Sequence, residues 1–257
     1  MFDMKSDYDM VVHKLPEDFR FVNLYPVGDV HFGSPEFEIK KWRKWVDMVK
    51  QDEFGKVVIL GDMIDNGLKN SKTDVYKATL SPLEQKKMLA DELNEIRDRI
   101  LVAVDGNHEQ RSVREVGSSP LYDVMAKLDL EDLYRENMAF VKINVGFKRS
   151  DRQWSYGIVA SHGGSKNKVK RFVPFVDGMD VFLSGHIHDA STNFPAKIVM
   201  DMQNEVVRLV PVIPVVVPSF ADYGGYAMRG LYEPTSNTHY PIIQLSGTSK
   251  EVSVHWI

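Results

Sequence analysis

The sequence predicts a layered α/β domain, and three observations carry that reading. Short apolar, strand-like runs alternate with helix-like runs through the first half of the chain. Strand-like runs then dominate the second half. Short polar motifs recur where those apolar runs end, and the C-terminal ends of strands are where open α/β sheets build their sites.

Residues 19–30 give the first strand candidate. Residues 36–52 place Trp42, Trp45, Val46 and Val49 on one helical stripe. Residues 57–60 are a buried-strand run of four apolar side chains. Ser81-Pro82-Leu83-Glu84 is a capping box with proline at the first helical position, and Leu89, Leu93, Ile96 and Ile100 follow at helical spacing. Residues 100–104 form another strand. Ser119-Pro120 repeats the helix-start signal, with Leu121, Val124, Met125 and Leu128 as the apolar face. Strand candidates follow at 139–145, 156–160, 181–183, 206–217, 240–245 and 252–256. Pro211, Pro214 and Pro218 mark the run at 206–217 as an edge strand or a strand-to-loop transition.

The chain has 257 residues, 43% hydrophobic and 26% charged, which is ordinary globular composition. No repeat, low-complexity tract or linker interrupts it, so a single domain over 1–257 is expected, with the motifs within 19–188 and a β-rich tail at 189–257. The net charge of −4 gives no global field toward nucleic acid or membrane. The absence of cysteine excludes disulfide and thiolate chemistry. The acidic start, Met1 to Asp9, lacks the apolar core of a signal peptide. The longest apolar stretch, 209–217, is about half the ~20 residues a membrane span needs. A cytoplasmic protein with no membrane partner is therefore expected.

Five motifs stand out: Asp29-Val30-His31, Gly61-Asp62-Met63-Ile64-Asp65, Gly106-Asn107-His108-Glu109, Ser161-His162-Gly163 and Gly185-His186-Ile187-His188. Four directly follow strand candidates. Together they offer seven ligand-type side chains: Asp29, His31, Asp62, Asn107, His162, His186 and His188. Asp29 and His31 are two residues apart, so in extended backbone both point the same way. His186 and His188 repeat that spacing. A carboxylate at the mouth of a buried strand, such as Asp62, needs a partner, because an unpaired buried charge is expensive. Singly, Asp62 equally suits a helix cap and the two histidines a plain surface pair. Jointly, the set is enough for two divalent cations. Imidazole with carboxylate favours Mn²⁺, Fe²⁺ or Zn²⁺ over Mg²⁺ or Ca²⁺.

These blocks resemble the calcineurin-like metallophosphoesterase family, whose pattern is D-x-H, G-D-x-x-D, G-N-H-[ED], H and G-H-x-H. The resemblance implies a four-layer αββα sandwich, two β-sheets packed face to face with helices outside. It implies one metal on Asp29, His31, Asp62 and His188, and a second on Asp62, Asn107, His162 and His186, with Asp62 shared. It further implies phosphate-ester hydrolysis by a metal-bridging hydroxide, with His108 as the catalytic histidine outside the metal set. Asp65 resembles the aspartate that pairs with this histidine in the protein-phosphatase branch. That branch has arginine after Asp65, where this chain has Asn66, so a bidentate phosphate fork is missing. A phosphoprotein phosphatase is therefore disfavoured.

Substrate residues are less sharply marked. Arg111 closely follows His108 and suits a phosphate clamp or a solvated helix start. Lys166, Lys168, Lys170 and Arg171 suit a phosphodiester backbone or a solvated face. The segment 220–230 offers Tyr223 and Tyr226 for stacking on a ring, or forms a structural turn. Phosphodiesters, nucleic acid among them, are favoured over phosphomonoesters, with a non-catalytic metal-binding protein as the third option.

Overall fold

The computed structural model describes residues 8–15, 18–69, 71, 75–147, 152–229, 231, 233–234 and 239–257. In chain order the first half runs β1 (Val11–Lys14), β2 (Phe21–Val27), α1 (Ile39–Gln51), β3 (Gly55–Ile59), α2 (Pro82–Asn94), β4 (Ile100–Val104), α3 (Glu109–Val116), α4 (Pro120–Lys127) and β5 (Tyr134–Arg135). The second half runs β6 (Met138–Phe147), β7 (Arg152–Ser161), α5 (Lys166–Phe172), β8 (Val181–Ser184), β9 (Ser191–Thr192), β10 (Ala196–Asp201), β11 (Val206–Pro211), β12 (Ile213–Val216), α6 (Gly225–Arg229), β13 (Pro241–Ser246) and β14 (Val252–Trp256).

Two six-stranded mixed sheets result. The first has the order β14-β13-β2-β3-β4-β5, the second β1-β6-β7-β8-β12-β9. In the first, β2, β3, β4 and β5 are parallel neighbours. In the second, β7, β8 and β12 are parallel neighbours.

Strand alternation builds the layers. Val22, Leu24 and Val58 of the first sheet meet Val141, Ile143, Ile158 and Leu183 of the second in the central core. Val27, Val57 and Ile59 point the other way, against Trp42 and Trp45 of α1, Leu89 and Leu93 of α2, and Leu121 and Val124 of α4. On the far side, Val159 and Phe182 pack with Val169 and Val173 around α5. The architecture is thus an α/β sandwich with helices on both outer faces. The caps read from sequence are present. Ser81 and Glu84 close a reciprocal capping box, and the Ser119 hydroxyl accepts from the Leu121 and Tyr122 N–H groups.

The run 206–217 is not one strand. Its first half, β11, pairs with β10 alone in a two-stranded ribbon, and its second half, β12, joins the second sheet. The division falls after Pro211, which has no N–H for a ladder. Both readings hold in part: β11 is an edge strand of its ribbon, the run breaks after Pro211, and β12 beyond it lies between β8 and β9. Pro214 sits where only the β8 side of β12 is paired. The helices α3 and α5 carry no sequence signal of their own. The α3 helix buries only Glu109, a polar residue, so no apolar stripe announces it. Among the described residues no helix is long and apolar enough to cross a membrane.

Candidate metal centre

Parallel pairing brings the motif loops together. Because β2, β3 and β4 run side by side in one direction, the loops after them leave the first sheet at one edge. They carry Asp29 and His31, then Asp62, then Asn107. The loops after β7 and β8 leave the second sheet likewise, with His162 and with His186 and His188. Main-chain bonds zip these loops together beyond the strands. Asp29 N–H donates to the Gly61 carbonyl at 3.0 Å, His31 N–H to Asp62 at 3.0 Å, and Gly185 N–H to His162 at 3.0 Å. Phe220 N–H and the Ser219 hydroxyl donate to the Asp29 carbonyl at 3.1 and 2.8 Å.

All seven ligand-type side chains meet there. The ligand atoms of Asp29, His31 and His188 lie within 4.8 Å of one another, and so do those of Asp62, His162 and His186. Asp62 also groups with His31, which sets it between the two clusters. His188 Nε2 is 3.1 Å from Asp29 Oδ1 and 3.4 Å from His31 Nε2. His162 Nε2 is 3.0 Å from Asn107 Oδ1, 3.3 Å from His186 Nδ1 and 3.4 Å from Asp62 Oδ2. Donors held about 2.0–2.2 Å from an ion stand roughly 3.0–3.5 Å from each other. The Leu60 carbonyl faces His162 Nδ1 at 2.7 Å, so that nitrogen carries the hydrogen and Nε2 presents a lone pair. With the ring in that neutral form lone pairs would confront lone pairs, so either a proton on His162 or a cation must lie among them. Asp29, His31, Asp62 and His162 are buried, whereas Asn107 and His186 are exposed, so the centre opens on that side.

Backbone conformation fixes these side chains. Asp29, His31, Asp62, His186 and His188 all have positive φ, between 50° and 70°. Non-glycine residues seldom adopt this region, and such strain collects at functional sites. Two glycines make room for the carboxylates. A Cβ on Gly106 would strike Asp62 Oδ1, and one on Gly185 would strike Asp29 Oδ2. One oxygen of each carboxylate is held by a main-chain donor, His108 N–H on Asp62 Oδ1 at 2.8 Å and His186 N–H on Asp29 Oδ2 at 2.7 Å. The other oxygen is left to the centre.

Comparison with known proteins identifies the family. A family model described as calcineurin-like phosphoesterase matches residues 24–200. The chain belongs to that family. It is therefore a metal-dependent hydrolase acting on phosphoric ester bonds. Comparison with curated proteins finds no match. Among solved structures, the chain is similar to the calcineurin-like phosphoesterase YfkN from Bacillus subtilis. That match has 10% identity and a TM-score of 0.45, over 93% of this chain and 91% of that one.

The catalytic candidate of this phosphoesterase, His108, is buried beside Asp62, with Nε2 3.8 Å from Asp62 Oδ2. Its Nδ1 donates to the Asp65 main-chain carbonyl at 2.6 Å, whereas the Asp65 carboxylate stands off at 3.6 Å. The pairing expected of Asp65 is thus made chiefly by its backbone. Arg111 Nη1 donates to the same carbonyl at 3.0 Å, which places Arg111 beside His108. Asn66, in the position of the missing arginine, is buried and structural. Its amide donates to the His108 carbonyl at 2.7 Å and to Ser112 Oγ at 2.9 Å.

Sequence reading gave no role to Glu109 or Asp105. The Glu109 carboxylate accepts the N–H groups of Asp62, Met63 and Gly106 at 2.8–2.9 Å, clamping the β3 and β4 loops together. Asp105 accepts from Ser119, at 2.7 Å, and from Tyr134, at 2.9 Å. Burial, with the neighbouring acidic charges, pushes Glu109 up to about 7 and Asp105 up to about 8. The acidic fourth position of the G-N-H-E block was the available signal for Glu109.

Phe220 is a core residue, stacked on Tyr240 and edge-on to Trp42 and Trp45. It anchors its segment, which is helical at 225–229, and so is withdrawn from any ligand. Tyr223 is partly exposed nearby. The side chain of Tyr226 and all of Gly230 lie outside the described residues. In the basic run, Lys168, Lys170 and Arg171 lie exposed on α5, and the Lys166 side chain is outside the described residues.

Charge inside the centre has a measurable consequence. Burial disfavours a charged His162 ring, yet Asp62 and Asp29 outweigh it and lift the ring to about 10. Without metal, His162 therefore holds a proton at neutral pH. A cation must displace that proton, so apparent metal affinity rises with pH toward about 10. Calorimetric titration of metal into metal-free protein at pH 7.5, in buffers of different ionisation enthalpy, should show at least one proton released per chain. Zero release would sink this assignment.

Proposed function

We propose a binuclear phosphoesterase that favours phosphodiesters. Asp29, His31, Asp62 and His188 hold one divalent ion, and Asp62, Asn107, His162 and His186 hold the other. The supporting observation is the convergence of imidazole and carboxylate lone pairs at ligand-to-ligand spacing around a shared Asp62. Two ions bound there supply an activated water and neutralise the phosphate. Manganese, iron and zinc all suit the donor set.

The chain's own groups do the rest. Asn107, His186 and His188 line the open side by which an ester enters. His108 turns Nε2 toward Asp62, placed to take up a proton when an anionic ester binds and to pass it to the leaving oxygen. Arg111 adds positive charge beside it. The diester preference rests on Asn66. Its side chain is spent on the His108 loop, so no guanidinium fork stands at that position. A diester carries one negative charge where a monoester carries up to two.

The test is turnover of bis(4-nitrophenyl) phosphate against 4-nitrophenyl phosphate, with metal content measured on the same protein. Two ions per chain after Mn²⁺ or Zn²⁺ loading and a higher kcat/KM on the diester are expected. One ion at saturation would end the binuclear reading. A preference for the monoester would end the diester reading alone.

A further inference from the structure

We propose that the cleft between α5 and the base of the β10–β11 ribbon binds the aliphatic part of an amphiphilic phosphate ester. The proposal rests on the phosphoesterase reading above and names a substrate class for it. The cleft has a volume of about 520 Å³, within the ~300–1,000 Å³ typical of ligand pockets. Val169, Val173 and Pro174 form one wall, and Ala196, Val212 and Val216 form much of the other.

The lining selects the ligand. It contains no aromatic side chain, so a base or aryl ring finds nothing to stack on. Its apolar surface is aliphatic, from valine, proline and alanine. Several of its polar groups are already used within the protein. Thr192 Oγ1 donates to the Pro214 carbonyl, and Lys197 to the Val176 carbonyl and the Asp177 carboxylate. Phe175 and Phe194, next in sequence to lining residues, are 83% and 62% exposed.

Position ties the cleft to the metal centre. The wall residues Val169 and Lys170 follow His162 in sequence, and Ser191 and Thr192 follow His188. Gly163, beside His162, packs against Ser184, and its Cβ position lies 3.8 Å from Val169 Cγ2. Lys168 lies over Gly164, on the loop that follows His162, and Lys170 lines the cleft. Such charges suit an ester whose anionic phosphate meets the metals and whose chain runs outward.

The test uses 4-nitrophenyl alkyl phosphodiesters with methyl, butyl, octyl and dodecyl groups, each below its micelle concentration. Water oxygen bonds to phosphorus, the P–O(aryl) bond breaks, and 4-nitrophenolate leaves and is read directly. Each methylene entering the cleft should raise kcat/KM by up to about fourfold, the equivalent of ~0.8 kcal/mol. Ala196→Trp and Asn193→Trp alter exposed lining positions outside the catalytic set. They should flatten the chain-length dependence and leave the methyl ester unchanged. Displacement of a dansyl-undecanoate probe by dodecyl phosphate, on metal-free protein, reads the cleft without catalysis. Tight displacement from the native chain and its loss in both variants would support the proposal. A flat series in the native chain, or equal displacement from native and variants, would overturn it. Absence of turnover on every ester would fail the phosphoesterase reading, and the probe would still decide the cleft.

Discussion

Asp62→Asn is expected to leave a folded protein that holds at most one ion and has lost turnover by more than about 100-fold. Asp62 is buried and sits between the two ligand clusters. Its Oδ1 accepts the His108 N–H, and an asparagine oxygen can still do so, which preserves the loop. The other oxygen is where the change acts. An amide there removes the negative charge that opposes two cations and presents hydrogens or a weak acceptor to His162. Loss of a group that merely orients a ligand costs about 10–100-fold in metal affinity, and loss of the shared ligand should exceed that for both sites. Elemental analysis, circular dichroism and diester turnover on one preparation decide it. Two retained ions with near-native turnover would refute the shared role.

His108→Ala should behave differently, keeping both ions and losing about 10²–10⁴-fold in kcat. Burial, with the Arg111 charge assisting it and Asp62 opposing it, lowers His108 to about 4. The ring is thus neutral at pH 7, with its hydrogen on Nδ1 toward Asp65 and a lone pair on Nε2. A neutral Nε2 has no proton to give until an anionic ester arrives and raises its affinity. His108 also groups with His31 and Asp62 at ligand distance. If the alanine variant is isolated with one ion or none, His108 belongs to the metal set instead.

The seven side chains that converge were legible because the motifs carrying them are tied to local spacing. Asp29 with His31, and His186 with His188, are short motifs at strand ends, and strand ends were visible as apolar runs. The helices α1, α2 and α4 were legible for a similar reason, from a stripe such as Trp42, Trp45, Val46 and Val49 or from a serine-proline cap. What escaped was whatever depends on distant partners. Glu109 looks like one more surface acid in sequence, and only the fold shows three main-chain donors around it. Asp65 was assigned a side-chain role, but the backbone decides which of its oxygens meets His108. The segment with Phe220 read equally as a stacking loop or a structural turn, and long-range packing on Trp42, Trp45 and Tyr240 decides for structure at Phe220. The α3 helix has no apolar periodicity because it is held by polar contacts.

The positive-φ backbone of Asp29, His31, Asp62, His186 and His188 has a consequence for metal exchange. Each such residue costs the fold on the order of 1–3 kcal/mol, whether or not a cation is present. The strain is carried by loops bonded to one another, so the ligand atoms stand in place before any ion arrives. The donor set suits manganese, iron and zinc alike, with intrinsic affinity rising from manganese through iron to zinc. These ions should replace one another without rearranging the chain, so that availability as well as affinity sets occupancy, and metal-exchange titrations followed by circular dichroism would show it.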